Sequence, residues 1–259
     1  MRLELITAAL ERVCPLRFQD DFDNSGLQVG LPAADVRSAL VCLDVTEAVI
    51  DEAIARDCQL VVSHHPLLFH PLKCVGDGTY QQRSVTRAVK NDIAVYSAHT
   101  SLDNAPGGVN HKIAELIGLQ DLEWLEPRAD GESGSGLVGE LPQAVGAGDF
   151  FARLKEIFRV PDLKHSGFEP GRKVKRIALC GGAGAFLMRR AMEAGADLFV
   201  TGESHYHDWF ESGGMLLAEL GHYQSEQFTI DLISDLLRAG CPGLRVEKTA
   251  LFTDPVKHL

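Results

Sequence analysis

With 259 residues, 45% of them hydrophobic, the chain has enough apolar material for one large domain or two intertwined ones. A formal net charge of −11 argues against non-specific binding to nucleic acid and leaves only a local basic patch as a route to it. No apolar run approaches the ~20 residues of a membrane span, and six cysteines without a C-x-x-C pair point to a reduced, cytoplasmic protein with no cysteine-based zinc site.

The first segment, MRLELITAALERVCP, carries Leu3, Ile6, Leu10 and Val13 at helical spacing, with Glu4 and Glu11 inside the pattern. It reads as an amphipathic helix and not as a signal peptide. Residues 38–43 (SALVCL) predict a buried strand. A helix follows over 46–57, with Thr46 placed to cap it, and a second strand over 59–63. This β-α-β unit implies a parallel sheet. A helix over 79–90 and a strand over 93–97 continue the alternation. A polar, glycine-rich loop and a helix over 109–117 come next. Residues 127–136 (PRADGESGSG) are rich in turn formers, and the boundary between two halves, 1–126 and 127–259, is placed there. The second half predicts strands over 174–180, 197–201 and 215–220, with helices over 184–194 and 222–238.

The halves resemble each other. EAIARDCQLVVSHH (52–65) aligns without a gap on RAMEAGADLFVTGE (190–203), helix on helix and strand on strand. Each half then has a strand followed by His-x-x-x-acid, His99 to Asp103 and His222 to Glu226. The expected fold is therefore α/β: two similar β-α-β halves, intertwined, with mainly parallel mixed sheets.

In open α/β sheets, ligands bind beyond the carboxyl ends of the strands. His64 and His65, His99 and Asp103, Glu203 with His205 and His207, and His222 with Glu226 all fall there. Neighbouring strand residues point to opposite faces, so His64 and His65 share one metal only with a twist, or serve two metals. His222 and Glu226, four apart on a helix, project from one face. Gly107 and Gly108 give the Asp103 loop room to turn its carboxylate inward. Each cluster alone has an ordinary reading: a polar pair at a strand end, a salt bridge on a wet helix, a turn. Their co-occurrence points to metal. GGAGAF (181–186) departs from G-x-G-x-x-G at Leu187 and reads as a tight strand-to-helix turn rather than a phosphate cradle.

SHHPLLFHPLK (63–73), SAHTSLDNAPGGVN (97–110), TGESHYHD (201–208), GHYQSEQF (221–228) and FDNSGLQVG (22–30) resemble, in order, motifs of the Nif-three-like proteins, also labelled GTP cyclohydrolase I type 2 homologues. The resemblance implies a Nif-three-like fold and a dinuclear metal centre of two divalent ions (Zn, Fe, Mn, Co or Ni). By the motifs, its ligands are His64, His65, Asp103, His222 and Glu226, with Glu226 bridging. It also implies a ring-shaped homo-hexamer. Two ions roughly 3.5–4 Å apart suit hydrolysis. His99, His205 and Glu203 are then candidates for proton transfer or for support of the ligands. The activity implied is a metal-dependent hydrolase of a nucleotide or related heterocycle, GTP cyclohydrolase-like. The alternative is a non-enzymatic metal-binding or interaction protein.

Overall fold

Unbroken apolar runs set the frame. The computed structural model describes residues 1–257. In chain order the elements are α1 (Leu3–Glu11), β1 (Gly26–Val29), β2 (Ser38–Cys42), α2 (Glu47–Ala55), β3 (Leu60–Ser63), α3 (Tyr80–Lys90), β4 (Ala94–Ser97), α4 (His99–Asp103), α5 (Val109–Ile117) and β5 (Gln120–Pro127). They continue with β6 (Gly134–Gly146), α6 (Ala147–Ile157), β7 (Lys164–His165), β8 (Lys173–Cys180), α7 (Met188–Glu193), β9 (Leu198–Thr201), β10 (Leu216–Glu219), α8 (His222–Glu226), α9 (Thr229–Gly240) and β11 (Arg245–Lys248). Short 3-10 turns cover Leu16–Phe18, Gly184–Leu187 and Tyr206–Phe210. No helix among the described residues is long and apolar enough to cross a membrane.

The chain divides into two compact units. The first holds Met1–Leu102 and Phe228–Pro255; the second holds Asp103–Gln227 with Val256 and Lys257. Residues 127–136 form the turn region between β5 and β6, which pair as an antiparallel hairpin.

The first unit is built on a five-stranded sheet of order β1-β4-β3-β2-β11, parallel except for β1. Every residue of β2, β3 and β4 is buried, as a parallel sheet covered on both faces requires. Leu40, Cys42, Val61 and Val95 pack with Val49, Ile50, Ala53, Val85 and Ala88 of α2 and α3. The Thr46 hydroxyl caps α2 by accepting from the Val49 amide at 3.3 Å, as its position before the helix predicts. Thr79 caps α3 in the same way. Helix α1 packs against α9, close enough that a Cβ on Gly240 would lie 3.1 Å from Ala9 Cβ.

The second unit has a six-stranded sheet of order β5-β6-β8-β9-β10-β7. Its β8-β9-β10 core is parallel and the flanking pairs are antiparallel. Phe199, Ala178 and Leu217 form its core with Leu187, Met188 and Ala191. The internal likeness extends to register. Ala39 pairs with Leu60, and Ile177 with Leu198, positions that the ungapped alignment of the halves superposes. Both sheets are thus mixed, the first parallel but for one edge strand and the second built around a parallel core. The helix expected over 222–238 is broken instead into α8 and α9, with Gln227 and Phe228 between them.

Candidate metal centre

Strand β3 ends at Ser63, and the way it ends brings two imidazoles together. In a regular strand, successive amides point to opposite edges. Here His64 N–H donates to the Cys42 carbonyl at 3.3 Å and His65 N–H to the Leu43 carbonyl at 3.0 Å, consecutive amides on one neighbouring segment. The chain has therefore twisted out of strand geometry. Ser63 Oγ fixes the twist by donating to the His65 carbonyl at 2.7 Å. The rings of His64 and His65 then lie 4.9 Å apart at 49°, on one side rather than on opposite faces. The twist that sharing a metal demands is present.

His65 and His99 each have a carboxylate behind them. Asp44 Oδ1 lies 2.7 Å from His65 Nδ1, and Asp44 Oδ2 accepts from Thr253 Oγ at 2.7 Å. Burial alone would raise the Asp44 carboxyl, but the His65 bond and charge, then Thr253, hold it below its ordinary value. His99 opens α4 with φ of +27°, in the region that L residues rarely adopt. Two contacts hold it there: its N–H donates to the His64 carbonyl at 2.9 Å, and its Nδ1 lies 2.5 Å from Asp23 Oδ1. Asp23 also accepts from Thr100 N–H at 3.1 Å, from Thr100 Oγ at 2.5 Å and from Ser25 Oγ at 2.7 Å. Burial pushes this carboxyl up, yet His99, Thr100 and Ser25 together outweigh it and leave it far below the carboxylate range. The His99 ring stands 5.6 Å from His64 and 5.8 Å from His65. A hydrogen bond at Nδ1 fixes which tautomer each imidazole adopts and leaves Nε2 to act.

In the second unit, His222 opens α8 as His99 opens α4. His222 Nε2 lies 3.3 Å from Glu226 Oε2, and Nδ1 lies 3.4 Å from Glu203 Oε1. Glu226 is only 4% exposed. Gly182 makes room for it: a Cβ there would collide with Glu226 Oε1, and its φ of +56° favours glycine in any case. Ser225 Oγ accepts from Gly182 N–H at 3.0 Å and donates to the His222 carbonyl at 2.8 Å, tying α8 to the turn after β8. GGAGAF is thus a tight strand-to-helix turn that shapes space for a carboxylate. Asp103 is the last residue of α4, and its carbonyl accepts from Asn110 Nδ2 at 3.1 Å.

His64, His65 and Glu226 form a group whose donor atoms all lie within 4.8 Å of one another, with His64 and Glu226 buried. Such a group could hold a metal ion, and its mixed imidazole and carboxylate donors fit a divalent transition metal. Asp103 and His222 stand outside this tight group. Glu203 lies beside His222 with just over half of its side chain exposed. His205 and His207 are exposed at the 3-10 turn of Tyr206–Phe210. Asp44 and Asp23 were not singled out as site residues from the sequence. Asp23 lies within FDNSGLQVG, a motif noted there without a role for any of its residues.

A group of two imidazoles and a carboxylate, with His64 and His65 just past the carboxyl end of a parallel strand, defines an α/β protein with a metal-competent site. The chain belongs to the Duf34/NIF3 (NGG1p interacting factor 3) family, whose model matches residues 1–255. It is 32% identical over 259 residues to a Lactococcus lactis protein named GTP cyclohydrolase 1 type 2 homolog, covering 98% of each chain. A Clostridium perfringens protein of the same name is 32% identical over 241 residues, covering 92% of each. The fold is similar to that of the Bacillus cereus protein related to NIF3, with a TM-score of 0.91 at 24% identity over 100% of this chain and 99% of the other.

Proposed function

We propose that this protein is a metal-dependent hydrolase of a small heterocyclic molecule, in the first instance a nucleotide. Two divalent ions (Zn, Fe, Mn, Co or Ni) would be held by His64, His65, Asp103, His222 and Glu226. The observation that carries this reading is the His64, His65 and Glu226 donor group. The Asp44 carboxylate on His65 Nδ1 supports it, because a metal-binding imidazole is ordinarily held from behind in that way. The name shared by the relatives directs the choice of nucleotide. When bound, such ions would supply an acidic water and positive charge for an oxyanion. His99, locked by Asp23, offers Nε2 to take up or return a proton. Glu203 orients His222 through Nδ1. His205, on the exposed turn, is a further proton carrier. Six cysteines without a C-x-x-C pair are in keeping with a reducing cytoplasm.

A second reading, a non-enzymatic metal-binding or interaction protein, is favoured by the family's description as an interacting factor. Tyr206 and Phe210, each more than 70% exposed, would suit a contact between copies in a ring-shaped homo-hexamer. A broad hydrolase screen of metal-loaded protein, with Glu226→Ala as control, separates the two. Turnover lost in the variant supports the hydrolase. Two ions per chain without turnover of any compound supports the second reading.

A further inference from the structure

The loop after His65 and the start of α3 enclose a recess of about 430 Å³, lined by Pro66, Phe69, His70, Lys73, Tyr80 and Gln81 among others. That volume suits a ligand of nucleotide size. We infer that this recess binds a planar heterocycle carrying an anionic group, with Phe69, His70 and Tyr80 offering stacking faces and Lys73 meeting the anion. The inference deepens the hydrolase reading and rests on it for the link to turnover.

Three observations support a built site rather than a surface dent. Its walls are held from outside. Leu68 N–H donates to Gln28 Oε1 at 2.7 Å, and the Leu68 carbonyl accepts from Asn24 Nδ2 at 2.7 Å. Across the recess, Gln82 accepts from Gly78 N–H at 3.0 Å, and Thr86 Oγ donates to the Gly76 carbonyl at 3.0 Å. Second, the recess presents aromatic surface: Phe69 is 38% exposed, its ring held edge-on by Phe22, His70 and His99, and Tyr80 is 48% exposed. Third, Lys73 forms no ion pair among the described residues, although the chain carries a net charge of −11. The recess also adjoins the histidines. The Phe69 ring lies 5.8 Å from that of His99, and the Tyr80 phenol is raised first by burial and then by the Asp44 charge.

The test is calorimetric titration of metal-loaded full-length protein with GMP, guanosine and inorganic phosphate. Phe69→Ala should weaken GMP and guanosine alike, each by about tenfold. Lys73→Met should weaken GMP by about tenfold and leave guanosine unchanged. Metal content should stay at the wild-type level in both variants, since neither residue is a donor. The recess is overturned if wild-type protein does not bind GMP at millimolar concentration. It is also overturned if GMP affinity is the same in all three proteins, as when phosphate alone competes equally in each. Binding that is sensitive to both variants, with no turnover, sinks the hydrolase and leaves the recess. Turnover that is indifferent to both variants sinks the recess and leaves the hydrolase.

Discussion

Asp44→Asn should weaken metal binding by about 10–100-fold without unfolding the protein. The amide is the same size as the carboxylate. Its oxygen can still accept from His65 Nδ1, now 2.7 Å away, and Thr253 can turn its hydroxyl to accept from the new nitrogen. What is lost is the negative charge that makes His65 a stronger donor. Ten- to hundredfold corresponds to about 1.4–2.7 kcal/mol. His65 and Asp44 are 21% and 32% exposed, and solvent screening favours the lower end of that range. The assay is a competition titration with a chromogenic chelator, run on wild type, Asp44→Asn and Asp23→Asn. Asp23 acts on His99, which lies outside the donor group, so its variant should keep wild-type affinity. Wild-type affinity in Asp44→Asn, or an equal loss in Asp23→Asn, would refute the reasoning.

Other perturbations have equally definite outcomes. His222→Ala should lose at least one ion while His99→Ala keeps its metal, read by elemental analysis; equal loss would make His99 a ligand. Gly182→Ala combines a left-handed backbone cost of about 1–2 kcal/mol with a collision at Glu226, so both its melting temperature and its ion content should fall. Burial lowers the His111 pKa, and its Nδ1 has no hydrogen-bond partner. The folded state therefore keeps it neutral while the unfolded chain takes up a proton near pH 6.5, so its share of stability is present above that pH and declines as pH falls through it. In chelated protein, His111→Phe should flatten the fall in melting temperature between about pH 7 and pH 5.5; an unchanged slope would remove His111 as the cause. Phe199→Ala, in the core of the second unit, should cost about 3–5 kcal/mol in denaturant unfolding.

The parallel strands and their helices were legible because burial on both faces leaves an unbroken apolar run. SALVC, LVVS and LFVT carry little else, and Thr46 marked the start of α2. The β5–β6 hairpin was not legible. Its first strand is mostly exposed and polar, and its turn, rich in glycine and acid, looked like a boundary. Nor was β11, since pairing Arg245 with Ser38 depends on contacts that no local pattern records. Histidines at strand ends stood out as rare residues in an unusual place. The carboxylates that hold them did not: Asp44 precedes a capped helix, and Asp23 sits in Asp-Asn-Ser, so each has the appearance of a turn residue. Ser63 carried no signal either, although its hydroxyl fixes the bend that turns His64 and His65 to one side.

The first unit is discontinuous in the chain, and that has a consequence for its synthesis. Its sheet is flanked by β11 and its α1 is packed by α9, both made after Asp103–Gln227, the long segment of the second unit. While the ribosome is still translating residues 103–227, β2 is an unpaired edge of five buried-type residues, and the face of α1 that packs on α9 lacks that partner. The second unit, almost wholly continuous from Asp103 to Gln227, can complete its sheet first. Order of emergence is therefore reversed by order of completion: the amino-terminal unit begins early and closes last, and during that interval it is the part of the nascent chain most exposed to aggregation and most in need of a chaperone.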